Sequence, residues 1–223
     1  PRIVLMVLVT ALVGFYVGSE SAPNYLRLLQ TLLGTALAAG GTLALNQFLE
    51  RDTDAKMERT RHRPLPDGRL QPREALWFGL LLTLAGLVYL WAAVNFLSAA
   101  VTALITVSYL FCYTPMKLRS SLCVLVGAVP GALPPMIGWL AATGSLDLGA
   151  WVLFAIIFLW QVPHTLAIAR LYREDYARAG IQFLPVVDLE GETTNRQVIS
   201  HTAALLAVSL LPTLLGLAGP VYF

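Results

Sequence analysis

Charge is what this chain has least of. Only 13% of its 223 residues are Asp, Glu, Lys or Arg, about half the share usual in soluble domains. Apolar residues make up 57% and mean hydropathy is +0.69, which excludes an ordinary soluble domain and marks an integral membrane protein. Cysteine is nearly missing too. Cys112 and Cys123 both fall inside apolar runs without metal-type spacing, so they read as small packing residues. There is no basic stripe on a soluble domain, because the basic residues lie in short loops between apolar runs; nucleic-acid binding is therefore without support. The net charge of +2 says little by itself, since in a membrane protein the placement of charges matters more than their sum.

What remains is a series of apolar runs. Windows of about 19 residues predict seven spans, at 3–18, 27–49, 74–94, 96–113, 121–142, 148–171 and 197–218. The expected fold class is all-α, a polytopic transmembrane helix bundle. The first run is short enough to resemble a signal peptide, but six further spans argue for a membrane helix. Lysine and arginine orient the bundle. With the N-terminus cytoplasmic, all of the 15 Lys and Arg except Arg27 fall inside. Of the 13 acids only Glu20 and Asp147 fall outside, and acids are not sorted by the positive-inside rule. Their clustering needs another cause, and it places any chemistry at the cytoplasmic face.

The densest charge runs from Asn46 to Pro66, NQFLERDTDAKMERTRHRPLP, joined directly to the apolar run 28–45. Asn46, Glu50 and Asp54 are spaced i, i+4, i+8, so they share one helix face as a ladder of oxygen ligands. Two carboxylates one turn apart repel and ask for a neutralising cation. All-oxygen ligands suit Mg²⁺, which completes its shell with water and substrate phosphate. Lys56, Arg59, Arg61 and Arg63 follow at once, and cations beside a metal ladder suit a diphosphate. The alternative is a solvated cytoplasmic loop carrying ordinary positive-inside charge.

The second span contains Gly34, Ala38, Gly40 and Gly41, a pattern that lets helix backbones approach closely. The fifth contains Gly127, Pro130, Gly131, Pro134, Pro135 and Gly138; its prolines predict a break, either lining a cavity or simply a packing kink. Trp139, Trp151 and Tyr25 near outer ends, with Tyr113 and Tyr172 near inner ends, read as interface anchors. After the sixth span, HTLAIARLYREDYARAGIQFLPVV repeats the first block in kind. Arg170, Arg173, Glu174, Asp175 and Arg178 crowd this helix end, either as a second metal and diphosphate cluster facing the first or as a plain charged helix end. No strong internal repeat is present. A transporter or channel is disfavoured, because apart from Arg27 and His201 ionisable residues avoid the middles of the spans.

These residues resemble the UbiA superfamily of intramembrane prenyltransferases. The stretches that carry the likeness are NQFLERDTDAKMERTRHRPLP, YTPMKLRS with VGAVPGALPPMIGW, WQVPHTLAIARLYREDYARAGIQFLP and the opening PR. PGALPPMIGW and WQVPH with YREDYARAGI are similar to the branch that farnesylates haem. The resemblance implies nine helices, of which about seven fit in this chain, and one domain over residues 1–223, truncated at both ends. It implies Mg²⁺ held by Asn46, Glu50, Asp54 and Asp175, with Glu174 and Arg173 completing the second motif. It assigns Arg59, Arg63, Lys117, Tyr113, Arg170, Arg173 and His164 to substrate binding. The implied reaction moves farnesyl from farnesyl diphosphate to a vinyl group of haem b, with hydration, to give haem O; a quinone precursor such as 4-hydroxybenzoate is the alternative acceptor. Phe48, Tyr109 or Trp160 would face the allylic cation, and His164, then His201, are the candidate haem ligands, with a hydrogen-bonded helix histidine as the competing reading. Implied partners are the lipid bilayer and a downstream haem A synthase or haem-copper oxidase assembly factor. The implied place is a bacterial inner membrane with the site facing the cytoplasm.

Overall fold

The computed structural model describes residues 2–19 and 22–219; Pro1 and Glu20, both used in the reading above, lie outside them. Among the described residues there is helix and no strand. Six helices among the described residues are long and apolar enough to cross a membrane: α2 (Tyr25–Asp54), α3 (Pro72–Ala93), α4 (Phe96–Met116), α5 (Cys123–Thr143), α6 (Leu148–Leu171) and α9 (Glu192–Leu214). A shorter apolar helix, α1 (Arg2–Gly18), precedes them, and two short helices, α7 (Arg173–Arg178) and α8 (Leu184–Val187), sit between α6 and α9. The seven expected spans are all present as helices. The largest boundary changes are in α2, which begins at Tyr25 and continues through Asp54 instead of stopping at residue 49, and in α9, which runs Glu192–Leu214 instead of 197–218.

Local chemistry explains where these helices start. The Asn24 side chain caps α2 by accepting the Arg27 N–H at 3.0 Å. Gln71 precedes α3, with Pro72 in its first turn and Glu74 accepting the Gln71 N–H at 3.0 Å. At the opposite end Arg27 donates to the Val94 carbonyl at 3.0 Å, tying the start of α2 to the end of α3.

Small residues set the packing, as the glycine pattern predicts. On α2, Gly34, Ala38 and Gly41 face Leu90, Gly86 and Thr83 of α3, and a Cβ on Gly86 would overlap the Ala38 backbone. On α1, Gly14 meets the Pro135 carbonyl of α5, and a Cβ on Gly138 would overlap the Ala11 carbonyl. The break in α5 falls at Leu133, between Ala132 and Pro134, since Pro134 and Pro135 donate no N–H to the preceding turn. This broken helix is the most deeply buried of the six spans, the setting in which freed carbonyls are tolerated.

The three aromatic residues at the outer ends divide. Trp139 is not an interface anchor: it is buried, packs against Gly18 and Gly149, and donates Nε1–H to Asp147 at 3.2 Å. Tyr25 and Trp151 are exposed at the same end, as anchors are. Cys123 is buried in the core and Cys112 is exposed on the bundle surface, both as free thiols.

One irregularity matters for the site. Within α4, Ser108–Tyr113 form a π-helical turn. The extra residue per turn rotates Tyr109, Tyr113 and Thr114 relative to a regular helix, and such turns cluster at functional sites.

Candidate functional site

The ladder is helical and inward-facing, so the solvated-loop reading does not hold for it, whereas Lys56, Arg59 and Arg61 are exposed on the loop that follows. Asn46 is 5% exposed and Asp54 1% exposed, both at the end of α2 where it meets α4 and the following loop. Each acid has its own cation. Glu50 Oε1 accepts from Lys117 Nζ at 2.6 Å, and Asp54 Oδ2 accepts from Arg63 Nη1 at 2.7 Å. Burial opposes the ammonium of Lys117, yet Tyr113 and the Glu50 carboxylate hold it above the ordinary lysine value. Its Nζ lies 4.4 Å from the centre of the Tyr113 ring, and that ring fills the slot left by Gly127 on α5. The π turn is what brings Tyr113 into this slot.

Asn46 carries no charge and is held by hydrogen bonds. Its Nδ2 donates to Thr114 Oγ1 at 3.1 Å, and its Oδ1 is 3.5 Å from the Tyr109 hydroxyl. Tyr109 and Tyr113 sit with ring centres 5.4 Å apart. Beside the Glu50–Lys117 pair lies a cavity of about 300 Å³, lined by Leu49, Leu110, Phe111, Thr114, Leu118 and Ile181 among others. Charge at one wall and apolar side chains at the others match an amphiphile with an anionic head and a hydrocarbon tail.

The second cluster meets the first through Asp175. Its Oδ1 accepts the Glu58 N–H at 3.1 Å and its Oδ2 accepts the Arg59 N–H at 3.2 Å, while the Arg178 guanidinium closes on Oδ1. Burial would raise this carboxyl, but the hydrogen bonds from Arg178 and from the Glu58 and Arg59 backbone hold it below the usual range. Arg59 in turn lies over the rings of Tyr172 and Tyr176, at 5.4 and 5.9 Å. A groove of about 680 Å³ runs along this surface past Glu58, Arg59, Arg170, Arg173, Glu174 and Arg178. The 117–122 loop joins them, because the Lys117 carbonyl accepts the Gln182 N–H at 2.7 Å.

The expected residues therefore divide. Asn46, Glu50, Asp54, Lys117 and Tyr113 form one largely shielded group bordered by the partly exposed Arg63, and Asp175 is tied to the loop that follows through the 58–59 backbone. Arg59, Arg173 and Glu174 line the neighbouring groove. Arg170 is exposed and donates to Asn195 at 3.1 Å. His164 stacks on Trp160 with ring centres 4.4 Å apart on the exposed side of α6, and His201 Nδ1 bonds the Gln197 carbonyl of its own helix at 2.9 Å. Of the three aromatic candidates only Tyr109 adjoins the ladder; the face of Phe48 is taken by Arg51 at 4.8 Å.

Two residues went unnoticed in the sequence: Thr114, and Thr60, whose hydroxyl donates to the Asp54 carbonyl at 2.9 Å. A hydroxyl beside Pro115 in YTPMK was the available signal for Thr114.

The donor set fits a hard cation. Among the described residues no three Asp, Glu, His or Cys side chains could hold a metal by themselves, but Asn46, Glu50 and Asp54 offer oxygen only, and each carboxylate has one oxygen outside its ion pair. That is the chemistry of a site completed by phosphate oxygens and water.

The chain resembles known proteins along its whole length. Residues 7–223 match the UbiA prenyltransferase family. The chain is 52% identical over 231 residues to a protoheme IX farnesyltransferase of Solibacter usitatus, covering 100% of this chain and 79% of that one. It is 42% identical over 225 residues to the protein of that name from Aquifex aeolicus, covering 100% and 76%. Among solved structures, the apo UbiA homologue of Aeropyrum pernix K1 superposes with a TM-score of 0.79 at 20% identity, over 98% of this chain and 81% of that one. The Archaeoglobus fulgidus homologue bound to GPP and Mg²⁺ gives 0.76 at 18%, over 96% and 76%. At these identities the structures speak for the fold.

Proposed function

The chain belongs to the UbiA prenyltransferase family, a family of multi-pass membrane proteins, and we propose that it transfers farnesyl from farnesyl diphosphate to a vinyl group of haem b, with addition of one water to the vinyl carbon left electron-poor, giving haem O and diphosphate. The observation that carries this reading is 42–52% identity, over the whole of this chain, to relatives named protoheme IX farnesyltransferase, together with a paired acid–base site beside an apolar cavity. Residues 1–223 act as one transmembrane prenyltransferase domain.

Asn46, Glu50 and Asp54 would hold Mg²⁺, which, when bound, supplies positive charge to the leaving diphosphate. Arg63 and Lys117 lie within reach of the same anion, each already paired to a ladder acid. Arg59, whose backbone N–H is held by Asp175, lines the neighbouring groove with Arg173 and Glu174 and would meet the anion from that side. The apolar wall of Leu49, Leu110, Phe111 and Leu118 keeps water from the allylic centre, and the ring of Tyr109 offers a negative face to the developing cation. Haem b enters from the bilayer, and the site opens toward the cytoplasm of a bacterial inner membrane. A haem A synthase or an oxidase assembly factor would receive the product.

Membranes containing the protein, incubated with labelled farnesyl diphosphate and Mg²⁺, should label haem b and leave 4-hydroxybenzoate unlabelled. Labelling of 4-hydroxybenzoate alone would replace this acceptor with a quinone precursor.

A further inference from the structure

Three polar groups close a ring at the base of the ladder. Thr114 Oγ1 is 2.9 Å from the Tyr109 carbonyl and 3.1 Å from Asn46 Nδ2, and the Tyr109 hydroxyl is 3.5 Å from Asn46 Oδ1. The Tyr109 carbonyl also takes the Thr114 N–H, because the π turn brings residue 114 back over residue 109. A carbonyl can only accept, so the single Thr114 proton is spent on it, and the Thr114 oxygen can then only accept from Asn46. Asn46 must turn its NH₂ to Thr114 and its oxygen away. The flipped amide would take the Thr114 proton for itself, and the ring would keep two hydrogen bonds in place of three.

We propose that Thr114 is a positioning residue: through the π turn it fixes the Asn46 amide in one orientation, so that position 46 presents a neutral oxygen to the face shared with Glu50 and Asp54. The inference rests on the metal-binding reading of that face given above. Neutrality has its own reason. Glu50 and Asp54 are each matched by one cation, Lys117 and Arg63, and a third carboxylate at 46 would be a buried charge without a partner facing an oxygen that has no proton left to give. An aspartate, normally the better ligand for a hard cation, is excluded here by its surroundings.

The test uses the full chain in nanodiscs, with Mn²⁺ as the probe ion, farnesyl diphosphate present, and electron paramagnetic resonance as the readout. Thr114→Ser keeps the hydroxyl and should bind Mn²⁺ within about twofold of the parent. Thr114→Val keeps the shape, loses the hydroxyl, and should weaken Mn²⁺ binding about tenfold, with kcat for farnesyl transfer falling more than KM for farnesyl diphosphate. If Thr114→Val does not fold, Thr114→Ala, which lacks the same hydroxyl, takes its place with the same expectation. Asn46→Asp should bind Mn²⁺ less tightly than the parent despite its added charge. Parent-like Mn²⁺ binding by the folded Val or Ala variant, or equal losses in the Ser and Val variants, would overturn the role of Thr114. Parent-like binding by Asn46→Ala is a different result: it removes position 46 from the metal site, and the proposal falls with the reading beneath it.

Discussion

The carboxylate of Asp175 accepts the backbone N–H of Arg59 at 3.2 Å, across 116 residues of sequence. With the Glu58 N–H on its other oxygen, this side chain clamps the loop that follows the first motif to the helix that opens the second. Both its oxygens are thereby engaged. Asp175 acts first as the residue that holds Arg59 and the 55–71 loop in place.

That clamp has a pH signature. The carboxyl is held below its ordinary value, so it binds fewer protons folded than unfolded, and its stabilising effect is full above the unfolded value of about 3.9. It is lost as pH falls through the lower, folded value. Hydrogen exchange at the Glu58 and Arg59 amides should therefore accelerate, beyond the intrinsic pH dependence of exchange, only below about pH 4. In Asp175→Asn the fast exchange should already be present at pH 7, and protection unchanged there would refute the clamp.

The Glu50–Lys117 pair is largely shielded, with side chains 14% and 12% exposed. Removing one member leaves the other buried and uncompensated. Lys117→Met should lower stability by roughly 3 kcal/mol, whereas Glu50→Gln with Lys117→Met should recover most of that loss. Thermal midpoints in detergent decide it: a double variant no more stable than Lys117→Met alone would mean the pair contributes nothing as a pair. Neither variant should retain turnover.

Much of this was legible in the sequence because two signals are strong in membrane proteins. Apolar runs of membrane length marked the helices, and the i, i+4, i+8 spacing of Asn46, Glu50 and Asp54 marked the shared face whether or not the helix end was known. What escaped has a common cause. Trp139 lies near a helix end in sequence, as an anchor would, but only the approach of Gly18 and Gly149 decides that it faces protein instead of lipid. The π turn at Ser108–Tyr113 leaves no mark in composition, so Thr114 could not be seen to reach Asn46. Arg178 stands three residues from Asp175 and was visible by spacing; the amides of Glu58 and Arg59 carry no sequence identity to read.

Close helix contact gives a test of the fold itself. Gly138 packs on the Ala11 carbonyl and Gly14 on the Pro135 carbonyl, and backbone cannot yield as a side chain does. Gly138→Val should destabilise by at least the roughly 3 kcal/mol that marks severe overpacking. Gly144→Ser, at a left-handed turn with open space around it, should cost about 1–2 kcal/mol through backbone conformation alone. Equal effects in a thermal melt would contradict the α1–α5 contact.

Sidedness can be measured at exposed acids of the two long loops. With Cys112 and Cys123 replaced by alanine, cysteines introduced for Asp67 and Glu190 should resist an impermeant maleimide added to intact cells and react after lysis. Because Asp175 ties these loops together, the two sites must behave alike. Labelling of both from outside would invert the orientation and the proposed source of farnesyl diphosphate.

The last expectation concerns the two clusters as one unit. Asp54 orders Arg63 and, through its carbonyl, Thr60, while Asp175 orders Glu58, Arg59 and Arg178. Glu58 and Arg59, held by Asp175, directly precede Thr60 and Arg63, held by Asp54, on a single stretch of loop, so loosening either hold frees the cations that would meet the diphosphate. Groups serving one transition state are non-additive. Asp54→Asn or Asp175→Asn alone should each remove nearly as much farnesyl transfer as both together, since either leaves the leaving-group charge uncompensated in a pocket of low dielectric. The measurement is a double-mutant cycle on kcat/KM for farnesyl diphosphate. Penalties that add with an interaction below about 0.5 kcal/mol would make the clusters independent, and the shared-site reading would then be wrong even if each residue mattered separately.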